Sequence, residues 1–302
     1  MFLPLEYVMK IGSAAHKELF CQRFMDSHRL YEPEQLPWPE LDRSMLDRLR
    51  GIPFWDEALY TERHAGVMLN AYAETVTDPM IQDAIALQAR EEARHGRVIE
   101  HLIQRYGIEV PDRPPKVLPV DLEPAFIKFG YGECFDSFFA FGLFGMARQG
   151  GFIPDPLFTI FDPILDEEAR HMVFFVNWIA YKRISEGRGV FRDVASLYQY
   201  AGALLRRFDN LKGAGKKGKP PAHKKGFTAT GAKSIMMGLT LSHFLETCLV
   251  ENAQRMSAYD PQLLHPEVLP RLTGVAAHIL KRLPQSQKQA GAKADLKQGA
   301  NV

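Results

Sequence analysis

The sequence predicts an all-α protein: a four-helix bundle with one long crossover, followed by additional C-terminal helices. Three observations predict it. Hairpin signals of the Asn-Gly type between alternating apolar runs are missing, and Val/Ile-rich strand segments are few. Apolar residues recur instead in steps of three and four. Two such helical pairs, each closed by a short turn, are joined by a proline-rich stretch that cannot be helical throughout.

Each element follows from local chemistry. Residues 1–50 are expected to form an extension packing on the bundle. The first bundle helix is expected over 53–76, where Trp55, Leu59, Glu62, Gly66, Leu69, Ala73 and Val76 fall on one stripe. Thr77-Asp78-Pro79 supplies a turn and an N-cap for the second helix, over 78–106. After Gly107 the stretch IEVPDRPPKVLPVDLEP holds five prolines and forms the crossover. The third helix is expected over 123–148, ended by Gly150 and Gly151. The fourth is expected over 155–183, with Pro163 a local kink. Together these make a bundle over 51–186.

A C-terminal helical extension is expected over 187–283, with helices at 190–210, 231–258 and 266–283. It is interrupted by a basic Gly/Lys/Pro loop at 212–226, read as a solvated linker, with docking of an acidic partner as the functional alternative. Residues 284–302 read as a disordered tail.

Composition narrows the function. The formal net charge of +1 argues against nucleic acid or a membrane surface as a general partner. No apolar run is long enough to span a membrane; SIMMGLTLSHFLETCLV is broken by His243 and Glu246. Three widely spaced cysteines, Cys21, Cys134 and Cys248, exclude a disulfide framework and suit the cytoplasm, and no signal peptide is expected.

The pentapeptide EEARH occurs at 91–95 and again at 167–171. In each copy a Glu and a His stand three apart, Glu92 with His95 and Glu168 with His171, so each pair points the same way from its helix. Their stripes are otherwise apolar: Ile81, Ile85, Ile99 and Leu102 in one helix, Leu157, Phe161, Phe175 and Trp178 in the other. Both pairs therefore face the core. The partner helices each add one Glu to the same core, Glu62 on the first and Glu133 on the third.

Glu62 lies about 15 residues before its hairpin turn and Glu92 about 15 after it, which at about 1.5 Å per residue puts them at one height. Four buried carboxylates need compensation. Two divalent cations supply it, and carboxylate-rich donors with one His per metal suit iron or manganese better than zinc or copper. Glu57 is a rival for Glu62, but its stripe through Tyr60 and His64 is more polar.

One Glu from each of two helices and Glu-x-x-His from the other two resembles the ferritin-like di-metal carboxylate superfamily over residues 50–185. EEARHG at 91–96 and DEEARH at 166–171 are similar to the strings of the oxygen-activating members, desaturases and soluble di-iron oxygenases, more than to storage ferritins. The resemblance implies two iron ions, with manganese or a mixed pair as variants, held by Glu62, Glu92, His95, Glu133, Glu168 and His171. It implies that Glu91 holds His171 and Glu167 holds His95 from the opposite repeat, with Arg94 and Arg170 neutralising that outer layer.

The partners it implies are O₂ and a small organic substrate that is hydroxylated, desaturated or N-oxygenated. It leaves room for an electron-donor protein and a homodimer. A radical-generating reductase subunit is disfavoured, because the position that carries its Tyr is Ile99. Alternatives are a ferroxidase or iron-handling protein and a metal-binding bundle without catalysis. Gly130, Ser137, Ala140 and Phe144 are expected to border an apolar substrate cavity roofed by the C-terminal helices.

Overall fold

The computed structural model describes residues 9–52, 54–187 and 240–282. Among them every regular element is a helix. The N-terminal extension holds α1 (Ala14–Asp26) and α2 (Arg43–Arg50), separated by a 3₁₀ turn at Pro33–Gln35. The bundle is α3 (Trp55–Ala73), α4 (Pro79–Arg105), α5 (Leu122–Gln149) and α6 (Asp155–Ser185). Two further helices are α7 (Leu241–Met256) and α8 (Val268–Arg282).

The four bundle helices begin and end within a few residues of the expected positions, and α4 has an explicit side-chain cap. Asp78 accepts hydrogen bonds from the Met80 and Ile81 amides and binds Lys17 of α1 as an ion pair. Gly107 and Gly151 turn the chain with φ of 58° and 59°, values that favour glycine. Pro163 lies within α6, which runs unbroken past it.

α1 packs on α6. His16 Nε2 meets Asn177 Oδ1 at 2.9 Å, and the Phe20 and Phe174 rings meet edge to face. α7 lies on α5 at close range: a Cβ on Gly142 would stand 2.2 Å from Cys248 Sγ, and one on Gly145 would stand 2.9 Å from Glu251 and Thr247 side-chain atoms. Glycine at these positions lets the two helices approach. Phe139 stacks on Phe244 across the same seam.

Of the helix expected over 231–258, residues 231–239 lie outside the described residues; α7 begins at Leu241, where the Thr240 hydroxyl accepts from the His243 amide. The expected helix at 190–210, the basic loop at 212–226 and the tail at 284–302 lie outside the described residues. No helix of the described residues is long and apolar enough to cross a membrane.

Candidate metal centre

The six candidate ligands converge at mid-bundle, one or two from each bundle helix. One oxygen or nitrogen from each of Glu62, Glu92, His95 and Glu168 lies within 4.8 Å of the others, and the same holds for Glu92, Glu133, Glu168 and His171. Glu92 and Glu168 belong to both groups. The arrangement is therefore two four-residue sites sharing two carboxylates, each with one histidine and one carboxylate of its own.

Both imidazoles are fully buried. His95 Nδ1 faces Glu168 Oε1 at 3.2 Å and Glu62 Oε2 at 3.7 Å. His171 Nδ1 faces Glu92 Oε1 and Glu133 Oε1, each at 3.0 Å. The opposite ring nitrogens point outward. His95 Nε2 meets Glu167 Oε2 at 2.8 Å, and His171 Nε2 meets Glu91 Oε2 at 2.9 Å. The outer carboxylates are ionised: burial alone would raise them, but the hydrogen bond and charge of the facing histidine prevail. Glu167 falls to about 2, and Glu91 lies far below the ordinary range. An ionised carboxylate only accepts, so each Nε2 carries a proton; in the neutral imidazole that a metal requires, Nδ1 would then hold the lone pair on the inside.

Arg94 donates to Glu167 Oε1 at 2.6 Å, and Arg170 donates to Glu91 Oε1. These two arginines are spent on the two outer carboxylates, leaving that layer neutral. The inner four carboxylates have no arginine or lysine within ion-pair distance among the described residues. Like charges 4 Å apart repel by about 4 kcal/mol at an effective dielectric constant near 20, so the inner cluster cannot stay fully ionised without cations.

The carboxyl groups respond accordingly. Burial, reinforced by Glu133 and Glu168, pushes Glu92 well above the carboxylate range. Burial pushes Glu133 up to about 7 against the opposing His171 contact. For Glu168 burial is outweighed by its contacts with both histidines and with Ser137, and its pKa falls. Burial would lower both histidines, but the surrounding carboxylates raise them well above the ordinary value. Protons fill the place that divalent cations would take. His95 Nδ1 and Gln88 Oε1 are buried in the cluster without a well-formed hydrogen bond, and His95 Nδ1 is aimed at three carboxylates. A donor set of four carboxylates and two inward lone pairs fits a pair of divalent ions.

Other expectations need correction. The Ser137 hydroxyl donates to Glu168 Oε2 at 2.9 Å, a contact that the sequence did not suggest. Gly130 leaves no room beside the site, because a Cβ there would stand 2.1 Å from the Phe175 ring, which fills the space. Ala140 is buried, and Phe144 packs on Phe161 and Phe158 of α6. α5 and α7 meet closely at Gly142 and Gly145, and residues 188–239, which were expected to supply much of the roof, lie outside the described residues.

Two large cavities lie elsewhere. One of about 900 Å³ runs behind the α3–α4 hairpin under the crossover, past Leu59, Val67, Ala93 and Pro115. One of about 880 Å³ lies between the end of α1, α6 and α7, with Glu167 and Arg170 among its walls.

Glu57, the rival of Glu62, binds Arg113 of the crossover at 2.7 Å. Three residues escaped sequence reasoning. Gln88 is buried one turn before Glu92, and its amide donates to Glu133 Oε2 at 3.2 Å; a lone Gln on an apolar stripe was its signal. His28 Nδ1 donates to Glu91 Oε1 at 2.5 Å, and the Tyr31 hydroxyl donates to Glu167 Oε2 at 3.0 Å. Both stand in non-helical chain, where no periodicity marks which way a side chain points. Comparison of the chain with protein-family models, with curated proteins and with solved structures finds no match.

Proposed function

We propose that this chain is a ferritin-like di-metal oxidoreductase that uses O₂ to oxidise a small organic substrate, with two iron ions, or manganese in place of one or both, as its cofactor. The observation that carries the reading is the separation of charge into two layers. The outer layer of Glu91, Glu167, Arg94 and Arg170 is neutral on its own, and the inner four carboxylates are balanced by exactly two divalent cations. When bound, such a pair of ions supplies the electrons that reduce O₂.

The residues do the rest. Glu62, Glu92, His95, Glu133, Glu168 and His171 would hold the pair, and Glu92 and Glu168 belong to both groups of donors. Glu91 and Glu167 fix the histidine tautomers so that Nδ1 faces inward. Ser137 and Gln88 orient Glu168 and Glu133. Glu92, Glu133 and both histidines are buried, while Glu62 and Glu168 keep part of their surface exposed.

A ferroxidase is the second reading, favoured by one feature: the polar groove that reaches Glu167 carries Asp162, Asp166, Glu251 and Asp260. Asp26 also lines the groove, and the other four acids are each near an arginine. Asp162 binds Arg148 at 2.7 Å, Glu251 binds Arg255 at 2.7 Å, Asp260 binds Arg23 at 3.2 Å, and Arg29 stands 3.9 Å from Asp166. A groove so neutralised is a poor conduit for iron, and the oxidoreductase reading is preferred.

The experiment loads the protein anaerobically with Fe(II), admits O₂, and follows O₂ uptake and iron release with and without a reductant. An oxidoreductase consumes O₂ in proportion to its bound iron and stops until reductant is added. Oxidation of many Fe(II) equivalents per chain, with release of ferric product, contradicts the reading.

A further inference from the structure

Segment 27–31 links α1 to the 3₁₀ turn and has no helical structure beyond its first residue. Its five residues nevertheless make five contacts to the outer layer of the metal centre. The Ser27 hydroxyl accepts from Arg170 at 3.4 Å, and His28 donates to Glu91. The Arg29 carbonyl accepts from Arg94 at 3.0 Å, Tyr31 donates to Glu167, and the Arg94 guanidinium lies 4.0 Å over the Tyr31 ring. The first two contacts serve the Glu91/Arg170 pair, and the last three serve the Glu167/Arg94 pair. Three residues of chain reach at most about 10 Å, so one short strap crosses from one EEARH repeat to the other.

The two ends of the strap act on different histidines. Glu91 holds only His171, and Glu167 holds only His95. His171 belongs to the group with Glu133, and His95 to the group with Glu62. The internal repeat would make the two metal positions alike; the strap makes them different, with an imidazole completing one outer carboxylate and a phenol completing the other.

We propose that His28 and Tyr31 are positioning residues for the metal centre, His28 tuning the position that contains His171 and Tyr31 the position that contains His95. The inference rests on the two-metal reading of the site and adds that the N-terminal extension sets the affinity of each position separately. His28 and Arg170 both donate to Oε1 of Glu91 while His171 takes Oε2; without His28 that oxygen keeps one donor instead of two and holds His171 less firmly. On the other side Tyr31 donates to Oε2 of Glu167, the oxygen that His95 also meets, while Arg94 takes Oε1, so Tyr31 acts directly on the acceptor that orients His95. Outer partners of this kind are worth about 10–100-fold in metal affinity.

The test is a Co(II) titration of the full chain, followed by visible absorption, on wild type, His28→Ala, His28→Asn and Tyr31→Phe. Glu133→Ala and Glu62→Ala identify which binding step belongs to which position. His28→Ala should weaken by about 10-fold or more the step lost in Glu133→Ala and leave the other unchanged. Tyr31→Phe, which keeps the ring under Arg94, should weaken the step lost in Glu62→Ala. His28→Asn, which keeps an N–H donor near the Nδ1 position, should recover most of the loss.

Equal weakening of both steps in both variants, in proportion to a fall in melting temperature, would show a merely structural strap and overturn the proposal. Unchanged steps would overturn it as well. A wild type that binds no Co(II) sinks the two-metal reading itself and this proposal with it; a wild type that binds two ions with unaffected variants sinks this proposal alone.

Discussion

Arg94 of the first EEARH repeat donates to Glu167 of the second at 2.6 Å, and Arg170 of the second returns the contact to Glu91 of the first. Each repeat thus neutralises the other, and the cross-brace ties α4 to α6 around the two histidines. The repeat is one site assembled by two halves, with each charged letter of the pentapeptide given a partner in the opposite copy.

Removing one member of this brace leaves a buried carboxylate without its cation. Arg94→Leu should destabilise the protein by about 3–5 kcal/mol, the range for breaking a buried pair from one side. Urea unfolding of the metal-free variant measures it. A loss below about 1 kcal/mol would place the pair among surface bridges instead.

The choice between Glu62 and Glu57 separates site from surface. Glu62→Ala should reduce bound metal from two ions per chain to one. Glu57→Ala breaks only the contact with Arg113 and should leave stoichiometry unchanged, at a cost of about 1 kcal/mol or less. Elemental analysis of both variants after identical loading decides it, and the reverse pattern would show the α3 register misread.

The pH dependence of the metal-free protein has a definite sign. Glu133, at about 7, and Glu92 hold protons in the folded state that the unfolded chain has already lost above 4.5. Stability therefore falls as pH rises from 4.5 through 7. The raised histidines act in the same direction: their contribution is complete below 6.5 and is lost as pH rises through their folded values. Glu91 and Glu167 are depressed, so their contribution is present above 4.5 and is lost only at lower pH, for Glu167 toward about 2. The melting temperature of metal-free protein should drop between pH 5 and 8, and metal loading, which replaces those protons, should flatten the drop. A metal-free melting temperature that rises across this interval contradicts the assignment.

The seam between α5 and α7 makes a packing prediction. Gly142→Ala puts a methyl group 2.2 Å from Cys248 Sγ and 3.1 Å from its Cα, so the helices must part. The cost should be about 1–3 kcal/mol, read as a lowered denaturant midpoint. Because Gly142 lies two and a half turns beyond Glu133, metal stoichiometry should stay at two. A neutral or stabilising effect would contradict the close approach of α7.

Much of this molecule could be read from the chain alone, for identifiable reasons. Bundle helices announce themselves through a 3.6-residue period and through Asp78, Gly107 and Gly151, which stop and start them locally. The candidate ligands were legible because Glu92 and Glu168 interrupt apolar stripes, an expensive arrangement that demands an explanation. What escaped depended on non-local packing. Nothing near Gly130 in sequence says that Phe175 fills its space, and Ser137 reads as a small residue until Glu168 is seen beside it. His28 and Tyr31 reach the centre from a segment with no periodicity, across more than sixty residues of chain.

The measurement that bears most directly on the account is metal stoichiometry. Protein reconstituted anaerobically with excess Fe(II), freed of loosely bound ions and analysed for iron and for protein by amino-acid analysis, should hold two ions per chain. One ion or fewer at saturation would leave the inner carboxylates without the cations that the two-layer arrangement requires, and would contradict it.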